Sequence, residues 1–209
     1  MKGILGLLRH KTQPEPGADK LDSLLFTTAF AGQGVDASLL VPWEARAVEV
    51  GAKRLNPAVG IKLLQDLWTK DRYTSHLESA AIQRMGRFFD FATVPASRDI
   101  IRQDEYGNFM VVLLKGNIAV DRLQPWGERL RLAETRPGEI LGEMSLLDSG
   151  IRFSACTTLG ECDVAVLSAE GMDEMLTAEP GLAANLIAVL ARKLSLRLRV
   201  VSARLSDKK

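Results

Sequence analysis

The stretch Gly142-Glu143-Met144-Ser145-Leu146-Leu147-Asp148-Ser149-Gly150-Ile151-Arg152-Phe153-Ser154 decides how the rest of this chain is read. A glycine opens a short turn whose backbone N–H groups can face an anion, because exposed amide donors at the start of a helical turn favour negative charge. The acid beside it, Glu143, suits a sugar hydroxyl. Arg152 stands nine residues beyond Glu143, past a turn containing Ser149-Gly150. From a following strand it can make a bidentate pair with phosphate oxygens. A Glu and an Arg near a glycine turn are also what a surface ion pair looks like, worth about 0–1 kcal/mol. The glycine positions, the Met144-Ser145-Leu146-Leu147 run and the strands on either side favour a binding site over that reading.

Working outward, short apolar runs surround the stretch: Phe88 to Val94, Ile100-Ile101, Phe109 to Leu114, Ile118 to Leu123, Leu130 to Ala133, Phe153 to Thr158 and Asp163 to Leu167. Pro95, Gly107, Gly116, Pro125, Gly127, Pro137-Gly138, Gly150 and Gly160 punctuate them, as an antiparallel barrel or double-sheet jelly roll requires. Before the strands, Asp36 is placed to cap a helix running through Leu55, Asn56-Pro57 to start a second through Trp68, and a third covers roughly 72–84. Leu67-Trp68 and Leu77 are expected to pack on the body of the protein, so a DNA-reading helix-turn-helix is not favoured for these helices. After the strands, Ser168 caps a short helix, and Pro180 starts a long amphipathic one reaching about Ser206. On it Ile187, Ala191, Leu194, Leu198, Val201 and Leu205 follow alternating steps of four and three, the spacing of a two-helix seam, which predicts a parallel homodimer.

These residues resemble the cyclic-nucleotide-binding domain family, which includes bacterial catabolite activators and kinase regulatory subunits. Gly142 to Ser154 is similar to its phosphate-binding cassette, Arg136-Pro137-Gly138-Glu139-Ile140-Leu141 to the entry into it, and Val111-Val112-Leu113-Leu114-Lys115-Gly116 to the preceding strand and turn. The resemblance covers roughly residues 86 to 205. It implies that Glu143 accepts from the ribose 2′-hydroxyl and Arg152 pairs with the cyclic phosphate, with the backbone of Gly142 to Ser145 and Ser154 completing the site. Met144, Phe153 and Arg197 are added as candidate ligand contacts, and the ligand implied is a cyclic mononucleotide, cAMP ahead of cGMP. Arg197-Leu198 stands where catabolite activators offer neighbouring hydroxyls to adenine, and a guanidinium cannot accept from the adenine amino group. The family also often has glycine at Ser97 and Asp104, and a small residue at Phe153.

The fold expected is therefore α+β, mainly β. A flexible leader (1–20) and an N-terminal helical segment (21–85) precede an antiparallel β-roll (86–178), and a long C-terminal helix (179–209) serves as cap and dimer seam. At 209 residues, 46% of them hydrophobic, the chain can bury one substantial core plus a smaller element. A net charge of +1 supplies no overall field for a polyanion. The apolar run at Met1 to Leu8 stops at Arg9-His10-Lys11, too short for a signal segment or membrane span, so a cytoplasmic protein without a membrane partner is expected. Cys156 and Cys162 flank a Leu159-Gly160 turn; a bridge between them is sterically conceivable, and two reduced, partly buried thiols are favoured. No spacing of His10, His76 and the cysteines suits a metal or a Cys-His nucleophile, and no paired carboxylates suggest an enzyme, so neither metal, catalytic residues nor cofactor is expected. Only four residues follow Leu205, so a C-terminal DNA-binding domain and direct DNA binding are not expected, and output is expected to pass to an effector protein. The alternatives are a degenerate, ligand-free interaction module and a cyclic di-GMP receptor.

Overall fold

The structure, a computed structural model, describes residues 24–206, so the expected leader at 1–20 lies outside the described residues. The first helix, α1 (Leu25–Gly32), buries Phe26 and Phe30. Asp36 does cap a turn, its carboxylate accepting from the Ser38 amide at 2.8 Å. That turn is a single 3₁₀ turn at Ala37–Leu39, and the helix expected through Leu55 does not form as one piece. Pro42 is the physical reason: without an N–H it cannot sit inside a helix, so it becomes the N-cap of a new one, α2 (Trp43–Glu49). Gly51, at φ +67°, then turns the chain into a two-residue strand, β1 (Lys53–Arg54). The next helix follows the expected start, with α3 (Pro57–Trp68) capped by Asn56, whose side chain accepts from the Ala58 amide at 2.9 Å. The third expected helix is shorter than 72–84. The buried Thr74 hydroxyl donates to the Trp68 carbonyl at 2.6 Å and holds residues 72–76 in turns, leaving α4 (Ser79–Met85).

The strands are β2 (Asp90–Val94), β3 (Asp99–Ile101), β4 (Phe109–Lys115), β5 (Ile118–Leu123), β6 (Arg129–Thr135) and β7 (Ile140–Leu141). A short helix, α5 (Glu143–Asp148), precedes β8 (Ala155–Thr158) and β9 (Cys162–Ser168), and α6 (Ala169–Ala178) and α7 (Pro180–Ser206) close the chain. One sheet has five strands in the order β1-β2-β9-β4-β7; the other has four, β3-β8-β5-β6. All pairings between these strands are antiparallel. β4 reads as a continuous apolar run because both of its faces are covered. Phe109, Val111 and Leu113 join the core of the roll, with Ile100, Ile118, Cys156 and Val164. Met110, Val112 and Leu114 join a second core, against Leu64, Trp68, Met85, Met172, Leu186 and Leu190 of the helices. The helices thus cover one face of the larger sheet, and Leu77 and Trp68 pack on that body as expected.

Two features tie this frame to the cassette. Ser97 and Asp104, where the resemblance implies glycine, adopt left-handed φ of 58° and 65°, so the turns keep a glycine-type shape while carrying side chains. The first turn of α1 is capped from across the fold: Asp173 of α6, buried, accepts from the Phe26 and Thr27 amides at 2.9 Å each and from the Thr27 hydroxyl at 2.8 Å. At its other end, Gln33 donates to the Asp148 carbonyl at the end of α5 at 2.7 Å. Cys156 and Cys162 are free thiols, fully rather than partly buried, and burial pushes Cys156 up to about 12, which leaves it protonated.

Candidate functional site

The site forms where β7 turns into α5. Gly142 adopts φ +74°, and a Cβ there would lie 2.6 Å from Arg152 Nη1, so glycine is required twice over, by the turn and by the approach of the guanidinium. Among the described residues, no side chain caps α5 by a hydrogen bond from Gly142. Arg152 enters from the segment leading to β8 and is 3% exposed. Nη1 donates to the Gly142 carbonyl at 2.8 Å and Nη2 to the Phe109 carbonyl at 2.6 Å, while the guanidinium carbon sits 4.6 Å from the centre of the Phe109 ring. Gly107 lines its other side, where a Cβ would lie 2.7 Å from Nη2. Among the described residues, no carboxylate comes within ion-pair distance of Arg152. Burial, and after it the charge of Arg46, draw the guanidinium down to about 10, so at neutral pH it remains a cation. The site therefore holds a buried positive charge solvated by two carbonyls and a ring face.

Glu143, 4% exposed, is paired with Arg197 of α7, whose Nη2 also donates to the Ile140 carbonyl at 3.0 Å. Burial raises the Glu143 carboxyl above its ordinary value, and Arg197, Arg152 and Lys193 counter this only in part. The helix cations are thus not all a free solvated face: besides Arg197, Lys193 pairs with Asp71 at 3.1 Å. Of the predicted site residues, Arg152 meets Gly142, Arg197 of α7 meets Glu143, and Ser145 is buried within α5. Ser154 is half-buried beside them in sequence. Met144 and Phe153 face outward, about half exposed. Phe153 lies instead under Arg122 of β5, 4.1 Å from ring centre to guanidinium, and its carbonyl accepts from the same side chain.

Sequence reasoning missed the back of the site. Trp43 of α2 packs edge-on against Phe109 with ring centres 5.6 Å apart. Arg46, 1% exposed, reaches the same region, where Val41, Arg46, Ile101, Glu105, Phe109 and Arg152 enclose a gap that admits no water. Nothing in the spacing of Trp43 and Arg46 announces this, because the contact is set by how α2 returns over the β3–β4 connection. Among the described residues, no group of three or more His, Cys, Asp or Glu side chains could hold a metal ion, and no helix is long and apolar enough to cross a membrane.

Comparison with known proteins gives a family match over part of the chain. Residues 92–179 match the cyclic nucleotide-binding domain family. A cyclic AMP receptor protein from Thermus thermophilus is 31% identical over 107 residues, 51% of this chain and 50% of the relative. The chain spans about half the length of the curated relatives it matches. Among solved structures, a cyclic nucleotide-binding domain from Methylobacillus flagellatus shares the fold at a TM-score of 0.64 and 19% identity, covering 76% of this chain and 89% of that one. The Thermus thermophilus catabolite activator protein superposes with a TM-score of 0.55 at 27% identity, over 63% of each chain.

Proposed function

We propose, from the premise that residues 92–179 belong to the cyclic nucleotide-binding domain family, that this chain is a sensor module whose ligand is a cyclic nucleotide. That curated relatives are named as cAMP receptors or regulators supports cAMP ahead of cGMP as the ligand. The observation that carries the reading is Arg152: a buried guanidinium that has no carboxylate partner among the described residues, beside a glycine turn that none of those residues caps with a side chain. Burying a lone charge is costly, and a monoanionic phosphate diester at the free donors would supply the missing counter-charge. Glu143 would take the ribose hydroxyl, and the backbone of Gly142 to Ser145 and of Ser154 would complete the cradle.

Ligand entry would shift α7, because Glu143 already holds Arg197 of that helix. Signalling then requires that the ligand bind two arrangements of α7 unequally, and its output would pass to an effector protein. The distal part of α7 exposes Leu198, Val201 and Leu205, whereas Ile187 and Leu194 are half-buried and Ala191 is exposed. A second copy packing in parallel along this seam would cover the exposed members. Leu198→Glu should then convert a dimer to a monomer in sedimentation velocity.

Calorimetric titration with cAMP, cGMP and cyclic di-GMP tests the reading. Saturable binding of a mononucleotide supports it, and preference for the dinucleotide would move the half-exposed Arg197 to a second phosphate. The pairing of Glu143 with Arg197 favours one other reading, an interaction module that has lost its ligand, for which all three titrations would be blank.

A further inference from the structure

Arg46 is the most deeply buried charged side chain of the described N-terminal helices, and its Nε has no acceptor among the described residues. A methionine or leucine would fill the same volume without that desolvation cost, so packing alone is a poor account of an arginine here. Its other nitrogens belong to a closed ring of charge. Arg46 pairs with Glu49 on its own helix and with Glu105 on the β3–β4 connection; Arg102 pairs with Glu49 and reaches Glu105 at 3.8 Å. Glu105 and Arg152 are neighbours through the backbone, the Arg152 amide donating to the Glu105 carbonyl at 2.8 Å. Their side chains line one gap, and Glu105 is the carboxylate in its wall.

A carboxylate and a phosphate compete for the same guanidinium fork, since both accept two parallel N–H bonds. Glu105 turned onto Arg152 would neutralise the cation that the proposed ligand needs. We propose that Arg46 is a positioning residue for Arg152: by holding the Glu105 carboxylate it keeps the phosphate-binding guanidinium free of a competing internal anion. This rests on the cyclic-nucleotide reading of the site. It adds an element of α2, outside the matched residues 92–179, to the machinery that sets affinity.

The test is a double-mutant cycle on the full chain, with cAMP affinity by calorimetry. Arg46→Met should weaken binding about tenfold, as expected for loss of a charged hydrogen bond, and adding Glu105→Gln should bring affinity back to within about threefold of wild type. Equal affinity of wild type and R46M overturns the proposal. So does a double variant as weak as the single one, which would make Arg46 a packing residue only. If R46M fails to fold by circular dichroism, Arg102→Met, a half-exposed change on the same ring, should weaken binding about threefold with the same rescue by E105Q, and lack of rescue overturns the proposal. A ligand-free readout separates the two claims. The Arg152 side-chain ¹⁵Nε resonance should move in R46M and return in R46M/E105Q. If wild type binds no cyclic nucleotide the site reading fails, and an unmoved resonance then overturns the positioning role as well.

Discussion

Replacing Arg152 by methionine should separate ligand affinity from stability. The side chain donates to two carbonyls, those of Gly142 and Phe109, and has no carboxylate partner among the described residues, so its removal orphans no charge there. Losing two such bonds costs about 1–3 kcal/mol, but removing a desolvated cation offsets part of that, and the unliganded Tm should move by only a few degrees. Binding should suffer more. A charge-assisted hydrogen bond contributes about 1.5–3 kcal/mol, which corresponds to a Kd raised about 10- to 150-fold. At ligand equal to a hundred times the wild-type Kd, wild type gains about 2.7 kcal/mol and the variant only about 0.3–1.4 kcal/mol. For a chain of this length, the wild-type gain is a rise in Tm of about 5–10 °C. Thermal unfolding of both proteins with and without cAMP reads all four quantities. A variant whose Tm rises with ligand as much as wild type refutes Arg152 as the phosphate anchor. An unliganded variant destabilised by well over 3 kcal/mol would instead make the residue a structural strut.

Glu143→Gln should lose nucleotide binding yet gain stability at neutral pH, because burial raises the folded carboxyl above its ordinary value. The sign follows: the wild type is penalised where the buried group is ionised, so the gap to E143Q opens as pH rises through the folded value and closes below about 4.5, as denaturant titrations at several pH values would show. Asp173→Ala removes the acceptor of two amides and a hydroxyl at the start of α1 and should cost about 2–3 kcal/mol, with hydrogen exchange rising first at Phe26 and Thr27. Asp104→Gly should stabilise by about 0.5–1 kcal/mol, since a left-handed φ costs an L-residue about 1–2 kcal/mol and glycine returns part of that as chain entropy; unchanged or lower stability by urea unfolding would contradict the strain.

Much of the roll was legible because its signals are local. Alternation and apolar runs locate β4, β5 and β9, glycine and proline mark the turns between them, and Asn56-Pro57, Ser168 and Pro180 start three helices where expected. The failures share a cause. Pro42 splits the helix expected to start at Asp36, and Thr74 holds a turn through a bond to Trp68, so each outcome depends on an interaction that periodicity does not encode. Phe153, expected as a ligand contact, is half exposed under Arg122 because β5 supplies a cation beside it.

The linear order of residues by itself determined the cassette: a glycine that can take a left-handed φ, an acid next to it and an arginine ten residues on are enough to set the turn, since the geometry is local. Only the folded chain decided what each charge meets. Arg197 on Glu143, Arg46 on Glu105 and Asp173 on α1 join residues 54, 59 and up to 147 positions apart. Charges are attracted by proximity in space within a poorly screened interior, and that proximity arises only when the two cores bring helices and sheets together.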